Sequence, residues 1–227
     1  MPIRPATIRG HVVHLREGGE QWGRENFSMS VWDKGRVMRA ATEFDDRKVL
    51  RDANWSVGAD WSPCEAFTRE IVDGEMVAHC WFRVDGDAVD CETFTSQMGR
   101  VSQRLECGVR VDYLGLHTIL ADVLVAAARG CTEQGDERSI TCVTNSVADY
   151  GMGGYYAQMV SPLVTYVGPE EVSVRAGTFE GEHFRVRWSD LVPHYSDFWV
   201  LKEHFLPLRL RGAFGPVHYE LAEIDFG

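Results

Sequence analysis

Residues 63–106, PCEAFTREIVDGEMVAHCWFRVDGDAVDCETFTSQMGRVSQRLE, twice run an extended segment into Asp-Gly and out again, at Asp73-Gly74 and Asp85-Gly86. Asp-Gly between alternating segments is a hairpin signal, because a type I′ turn needs positive φ at both central residues. Reading both as two-residue turns sets a register. Cys80 then lies opposite Cys91, Phe82 opposite Val89, Trp81 opposite Asp90 and His79 opposite Glu92. Across the first turn, Thr68 lies opposite His79, Phe67 opposite Cys80 and Ile71 opposite Met76. Directly opposed Cβ atoms are about 4.5–5.5 Å apart.

This register sorts the segment into two faces. One carries Phe67, Ile71, Met76, Ala78, Cys80, Phe82, Val84, Val89 and Cys91; the other carries Thr68, His79, Trp81, Arg83, Asp90 and Glu92. Matching polar to polar on the next strand places Arg100 and Arg104 near Asp90 and Glu92. Two readings follow. In the first, the apolar face points inward, the default for a closed sheet, and the polar face is a solvated ladder of ion pairs worth about 0–1 kcal/mol each. In the second, the polar face lines a cavity. Thr68, His79 and Glu92 then form an acid–base row, Arg83 and Arg104 stabilise a developing oxyanion, and Trp81 is a wall for an aromatic ligand. Cys80 opposite Cys91 admits a cross-strand disulfide, but reduced, buried thiols are the favoured expectation.

Turn signals and period-2 alternation recur along the rest of the chain. Strands are expected at 7–15, 25–33, 36–44, 48–57, 64–72, 75–84, 87–95, 100–106, 138–147, 160–167, 170–175, 178–188, 196–202, 205–211 and 216–225. Gly168-Pro169 is read as one of the connections. His117–Arg129 is different: Leu120, Leu124 and Ala127 make a helical stripe that ends at Gly130, a natural terminator. Many short strands and one helix predict an all-β, mainly antiparallel fold: a single closed or nearly closed barrel spanning 1–227, with one main α-helix at about 117–129. The Gly- and Tyr-rich stretch at 148–159 is expected to be a surface loop, with a lid over the barrel mouth as its functional alternative.

Composition narrows the partners. The 227 residues carry a formal charge of −11, and no Lys/Arg run is present, which argues against nucleic acid. No stretch approaches the ~18–20 apolar residues of a membrane helix, and the N-terminal MPIRPATIRGHVVHL lacks an apolar signal core, so a cytoplasmic protein with no membrane partner is expected. The six cysteines include no CxxC pair, and no HxH or HExxH spacing appears, so no metal is expected. No GxSxG, GxGxxG or P-loop is present, so no cofactor is expected either. His117, at the helix start with Asp122 one turn on, is a second candidate base. His183, Arg185 and Arg187 form a further polar row opposite Phe184, Val186 and Trp188.

Two segments, TYVGPEEVSVRAGTFEGEHFRV at 165–186 and WFRVDGDAVDCE at 81–92 with GRVSQR at 99–104, resemble bacterial lipocalin-like, calycin-type barrel proteins. The resemblance implies a barrel able to hold a small apolar molecule and carries no catalytic residues with it. The expected function is binding of a small hydrophobic or aromatic molecule, with cofactor-independent lyase, isomerase or hydratase chemistry. Its candidate catalytic groups are His79 or His117 as base, Glu92 as orienter, and Arg83 and Arg104; its candidate ligand contacts are Trp81, Thr68 and Tyr166. The alternatives are a non-catalytic carrier or sensor and an assembly protein whose barrel is filled with side chains; the oligomeric state is left open, with a homodimer as one option.

Overall fold

The computed structural model describes residues 6–146, 156–189, 194–212 and 215–227. Its first eight strands are β1 (Ala6–Arg16), β2 (Gln21–Trp32), β3 (Gly35–Phe44), β4 (Val49–Gly58), β5 (Pro63–Val72), β6 (Glu75–Asp85), β7 (Ala88–Thr95) and β8 (Gly99–Glu106). A short β9 (Tyr113–Gly115), helix α1 (Ile119–Arg129), β10 (Glu137–Ser139), β11 (Cys142–Thr144) and β12 (Gln158–Val160) follow. The chain ends in β13 (Leu163–Val174), β14 (Gly177–Arg187), β15 (Ser196–Leu201), β16 (Leu206–Arg211) and β17 (Val217–Phe226).

Fourteen strands form one antiparallel sheet in the order β10-β13-β14-β15-β16-β17-β1-β2-β3-β4-β5-β6-β7-β8. Two meanders are thus joined where β1 pairs with β17. The sheet is open: its hydrogen-bond ladder ends at β10 and at β8, so the expected closure is not made among the described residues. The remaining strands form a small second sheet, in which β9 pairs parallel with β11 and β12 antiparallel with it.

The long sheet curls around the helix. Helix α1 packs on β9, β13, β15 and β16, while Glu25 of β2 and Arg51 of β4 hydrogen-bond to its start. Eight of its residues are buried, among them Leu120, Ala121, Val123, Val125 and Ala126, the all-round apolar surface of an internal helix. Thr118 caps it, accepting from the Ala121 N–H at 3.1 Å, and Gly130, at φ 72°, closes it by donating to the Ala126 carbonyl at 2.9 Å. One apolar cluster joins Met29, Met38, Trp55 and Phe82 of the first meander to Phe184, Phe198 and Leu208 of the second, with the helix between them. The fit leaves a cavity of about 10 Å³ beside Trp55, Trp61, Tyr113 and Leu124, room for about one water.

Three local expectations change. At Asp73-Gly74 both residues take positive φ, 51° and 84°, as a I′ turn requires. In the second hairpin the loop is Gly86-Asp87, closed by Asp85 opposite Ala88; Gly86 has φ 66° and occupies the first central position, the preference of a type II′ turn. The pairing therefore moves by two residues, which keeps every side chain on its face. Gly168-Pro169 is not a turn, because β13 runs through it with a bulge between Tyr166 and Gly168. Segment 138–147 divides into β10 and β11. Of the expected lid at 148–159, residues 148–155 lie outside the described residues. Among the described residues no helix is long and apolar enough to cross a membrane.

Phe82 is 0% exposed at the centre of the β6 inner face. Phe82→Ala is expected to destabilise the protein by about 3–5 kcal/mol, read as a lower urea midpoint at unchanged m-value.

Candidate functional site

A bulge decides where the sequence-derived residues go. The pairing of Val72 with Glu75 and of Ile71 with Met76 is as expected, but Glu70 then pairs with Ala78, leaving Val77 as the extra residue. A one-residue slip exchanges the two faces of a strand. Thr68 consequently points into the core opposite Cys80, and Phe67 points outward opposite Trp81. The expected row of Thr68, His79 and Glu92 is not assembled, since His79 lies opposite Arg69 and Phe94, and Glu92 opposite Trp81.

His79, Trp81, Arg83, Glu92 and Arg104 share the face turned away from the core. The His79 ring stacks between Phe94 and Phe67 at centroid distances of 5.5 and 6.3 Å. Glu92 accepts from Arg100 at 2.9 Å and Ser102 at 2.8 Å, and these bonds hold its carboxyl below the usual range. Arg104 pairs with Asp90, Asp85 and Glu106 at 2.8–3.1 Å. The sequence expectation for Arg100 and Arg104 is met as a surface ladder. Tyr166 lies elsewhere, on the inner face of β13, where its hydroxyl donates to Glu182, itself 2.9 Å from Lys202. Burial and the Glu182 carboxylate push the Tyr166 phenol up.

A groove lies at the β10 edge. Ser139, Leu163 and Arg187 stand in one transverse row across β10, β13 and β14. With Val160, Ser161, Trp188 and Ser189 they line a groove of about 480 Å³, within the ~300–1,000 Å³ range of small-molecule sites. Trp188 forms an apolar wall and is itself steadied by Phe198 at 6.1 Å. Among the described residues no group of three or more His, Cys, Asp or Glu is placed to hold a metal ion.

A second concentration of chemistry is internal. Glu25, Thr42, Arg51 and Glu70 stand directly opposite one another across β2 to β5, and none is more than 2% exposed. Thr42 donates to Glu25 at 2.6 Å, and the N–H groups of Ile119 and Leu120 donate to the same carboxylate at 2.8 and 2.7 Å. Arg51 pairs with Glu70 at 3.1 Å and donates to the His117 carbonyl at 2.6 Å. His117 sits at φ 57°, its Nε2 2.8 Å from the Ser146 carbonyl and 3.1 Å from Thr144 Oγ1. Glu25, Arg51 and Glu70 were missed by sequence reasoning, yet each carries a readable signal: a charge on the same parity as Phe27, Ala53 or Ala66, residues of the buried face.

Burial governs the titration of this cluster. It raises Glu25 despite the bonds from Thr42, Leu120 and Ile119, and raises Glu70 despite Arg51. Burial and then the Glu25 charge push Asp122 up to about 8. Burial and then Arg51 push His117 down to about 4. At neutral pH the helix start thus holds a protonated carboxyl and a neutral imidazole, a proton donor and an acceptor.

Because the Asp122 pKa lies above its reference value of 3.8, protonation favours the folded state. That contribution is complete below about pH 4 and is lost as pH rises through about 8. His117 and the buried His14, lowered from 6.5 to about 4 and about 3, act in the opposite sense: their contribution is complete above about pH 6.5 and is lost as pH falls through those values. In the window from pH 6.5 to 8 the histidine contributions are already complete, and comparison with Asp122→Asn separates Asp122 from the buried Glu25 and Glu70, which are raised in the same sense. Urea titrations across that window should show wild-type stability falling by about 1–2 kcal/mol more than that of Asp122→Asn; equal slopes would refute the assignment.

No protein-family model and no curated protein sequence matches this chain. Solved structures do resemble it. A β-barrel-like protein of domain of unknown function DUF1849 from Brucella abortus aligns over 99% of this chain and 98% of its own, at 11% identity and a TM-score of 0.56. A DUF1089 family protein from Pseudomonas aeruginosa aligns over 84% of this chain and 91% of its own, at 9% identity and a TM-score of 0.50. The likeness is one of fold. It places the chain beside bacterial β-barrel-like proteins of unknown function, and the narrower lipocalin resemblance finds no counterpart in these two neighbours.

Proposed function

We propose that this protein binds a small amphipathic molecule, without chemistry, in the groove at the β10 edge. The observation that carries this reading is the combination there of about 480 Å³ of space with an aromatic wall, two aliphatic side chains, three serines and one guanidinium. Trp188, Leu163 and Val160 would take the apolar or aromatic body of the ligand. Arg187, with the hydroxyls of Ser139, Ser161 and Ser189, would take an anionic or hydrogen-bond-accepting group. The side-chain-filled interior supports the same reading, because a ligand seated among the inward faces would have to displace α1.

A second reading, cofactor-independent acid–base catalysis, is favoured by a protonated Asp122 and a neutral His117, both buried at the start of one helix. It stands behind the first because Glu25, Thr42, Arg51 and Glu70 already occupy the adjoining inner face.

The probe for the groove is 1-anilinonaphthalene-8-sulfonate, an aromatic body with one anionic group, titrated by fluorescence. One-to-one binding is expected. A charged hydrogen bond worth about 1.5–3 kcal/mol implies that Arg187→Met weakens it roughly 10- to 100-fold, and Trp188→Ala is expected to weaken it by at least about tenfold. Unchanged affinity in either variant, at unchanged circular dichroism, overturns the assignment.

A further inference from the structure

Cys80 of β6 and Cys91 of β7 both face the core, one diagonal step apart: Cys80 pairs with Thr93, and Cys91 with Phe82. Their Sγ atoms are 3.5 Å apart. The Thr93 hydroxyl lies 3.3 Å from Cys80 Sγ and 3.4 Å from Cys91 Sγ. Neither cysteine is more than 1% exposed. Direct opposition, the expectation from an Asp85-Gly86 turn, is removed by the Gly86-Asp87 loop, and the diagonal arrangement that replaces it still brings the sulfurs into contact. A disulfide needs an S–S distance of about 2.05 Å, so side-chain rotation has to close a gap of about 1.5 Å.

We propose that Cys80 and Cys91 form an oxidisable dithiol that closes to an intramolecular disulfide when the protein meets a peroxide, linking β6 to β7 inside the core. Hydrogen peroxide suits the site because it is uncharged and close to water in size, whereas a bulky disulfide reagent has no path to a buried pair. The hydrogen bonds at the site set the order of events. Either sulfur can donate across the 3.5 Å contact; the contact with Cys80 lowers the Cys91 thiol, while the contact with Cys91 and burial raise that of Cys80. Cys91 is therefore the attacking sulfur and Cys80 the resolving one.

In the first step the Cys91 thiol gives up its proton as its sulfur attacks one oxygen of hydrogen peroxide; an S–O bond forms, the O–O bond breaks, and the departing hydroxide leaves with that proton as water. In the second step the Cys80 sulfur attacks the Cys91 sulfenic acid; the S–S bond forms, the S–O bond breaks, and the hydroxyl leaves as a second water with the Cys80 proton. Two thiols lose two electrons and one peroxide gains them. Once denaturation exposes the link, a millimolar thiol reduces it back to two thiols.

The other four cysteines provide the internal comparison, because Cys64 is exposed and Cys107 and Cys131 are partly exposed. If exposure governed oxidation, Cys64 would react first. The full-length reduced protein is treated with hydrogen peroxide, quenched with catalase, denatured and alkylated, and the peptides are mapped by mass. The expected result is a fall from six alkylatable thiols to four, a linked peptide pair containing Cys80 and Cys91, and recovery of all six after dithiothreitol. In Cys80→Ser, Cys91 is expected to stop at a sulfenic acid trapped by dimedone. Full alkylation of Cys80 and Cys91 while Cys64 is oxidised overturns the proposal, as does a link from either to a different cysteine. The mapping uses the unsubstituted chain, so the result stands even if Cys80→Ser fails to fold.

Discussion

The structure turns on a carboxylate inside a β-sheet. Glu25 projects from β2 into the core and accepts the first free N–H groups of α1, while Arg51 from β4 holds the carbonyl of the residue before the cap. A helix start leaves several N–H groups without intrahelical partners, and burying them unpaired is costly. Around Glu25 stand three donors, from Thr42, Ile119 and Leu120. These satisfy the ionised form, which also suits the positive end of the helix. Without that carboxylate, an apolar helix could still enter the curl of the sheet, but its first turn would enter unsatisfied.

From this seating the rest of the interior follows. Burial and then the Glu25 charge leave Asp122 holding its proton, and burial and then Arg51 keep His117 neutral. The polar row is thus a device for inserting a helix into a sheet, and its perturbed titration is a consequence of burial. An interior occupied by the protein's own helix and its second small sheet leaves little space for anything else. Space remains at the border, where the ladder stops at β10 and the transverse row of Ser139, Leu163 and Arg187 lines a groove with Trp188.

Much of the fold was legible from local chemistry. Nearly all the long strands, the helix with its Gly130 stop, and the pairing of Arg100 and Arg104 with Glu92 and Asp90 follow from period-2 alternation, turn residues and charge matching. The errors were equally local in origin. Choosing between Asp85-Gly86 and Gly86-Asp87 depends on which residue takes positive φ, and one glycine serves either turn. The bulge at Val77 has no composition signal, because valine is as suited to a regular strand as to a bulge. Yet it moves Thr68 into the core and Phe67 out of it, and so dissolves the expected acid–base row. Of the sequence-derived candidates, His117 alone stands in the buried cluster around Arg51, and Tyr166 joins a separate contact with Glu182.

By itself the sequence determined an all-β chain of short antiparallel strands around one helix, with a polar and an apolar face on 63–106, because these depend on neighbours within a few residues. Tertiary structure alone decided that the polar face looks outward, that the sheet stays open among the described residues, and that Glu25, Arg51 and Glu70 meet the start of a helix about 50–95 residues further along the chain. Alternation reveals that a strand has two faces, but the choice between them comes from what the chain has available to cover one of them. Here the cover is α1, and the carboxylate that receives it is the reason the interior is filled by the chain's own helix while a groove remains at the edge.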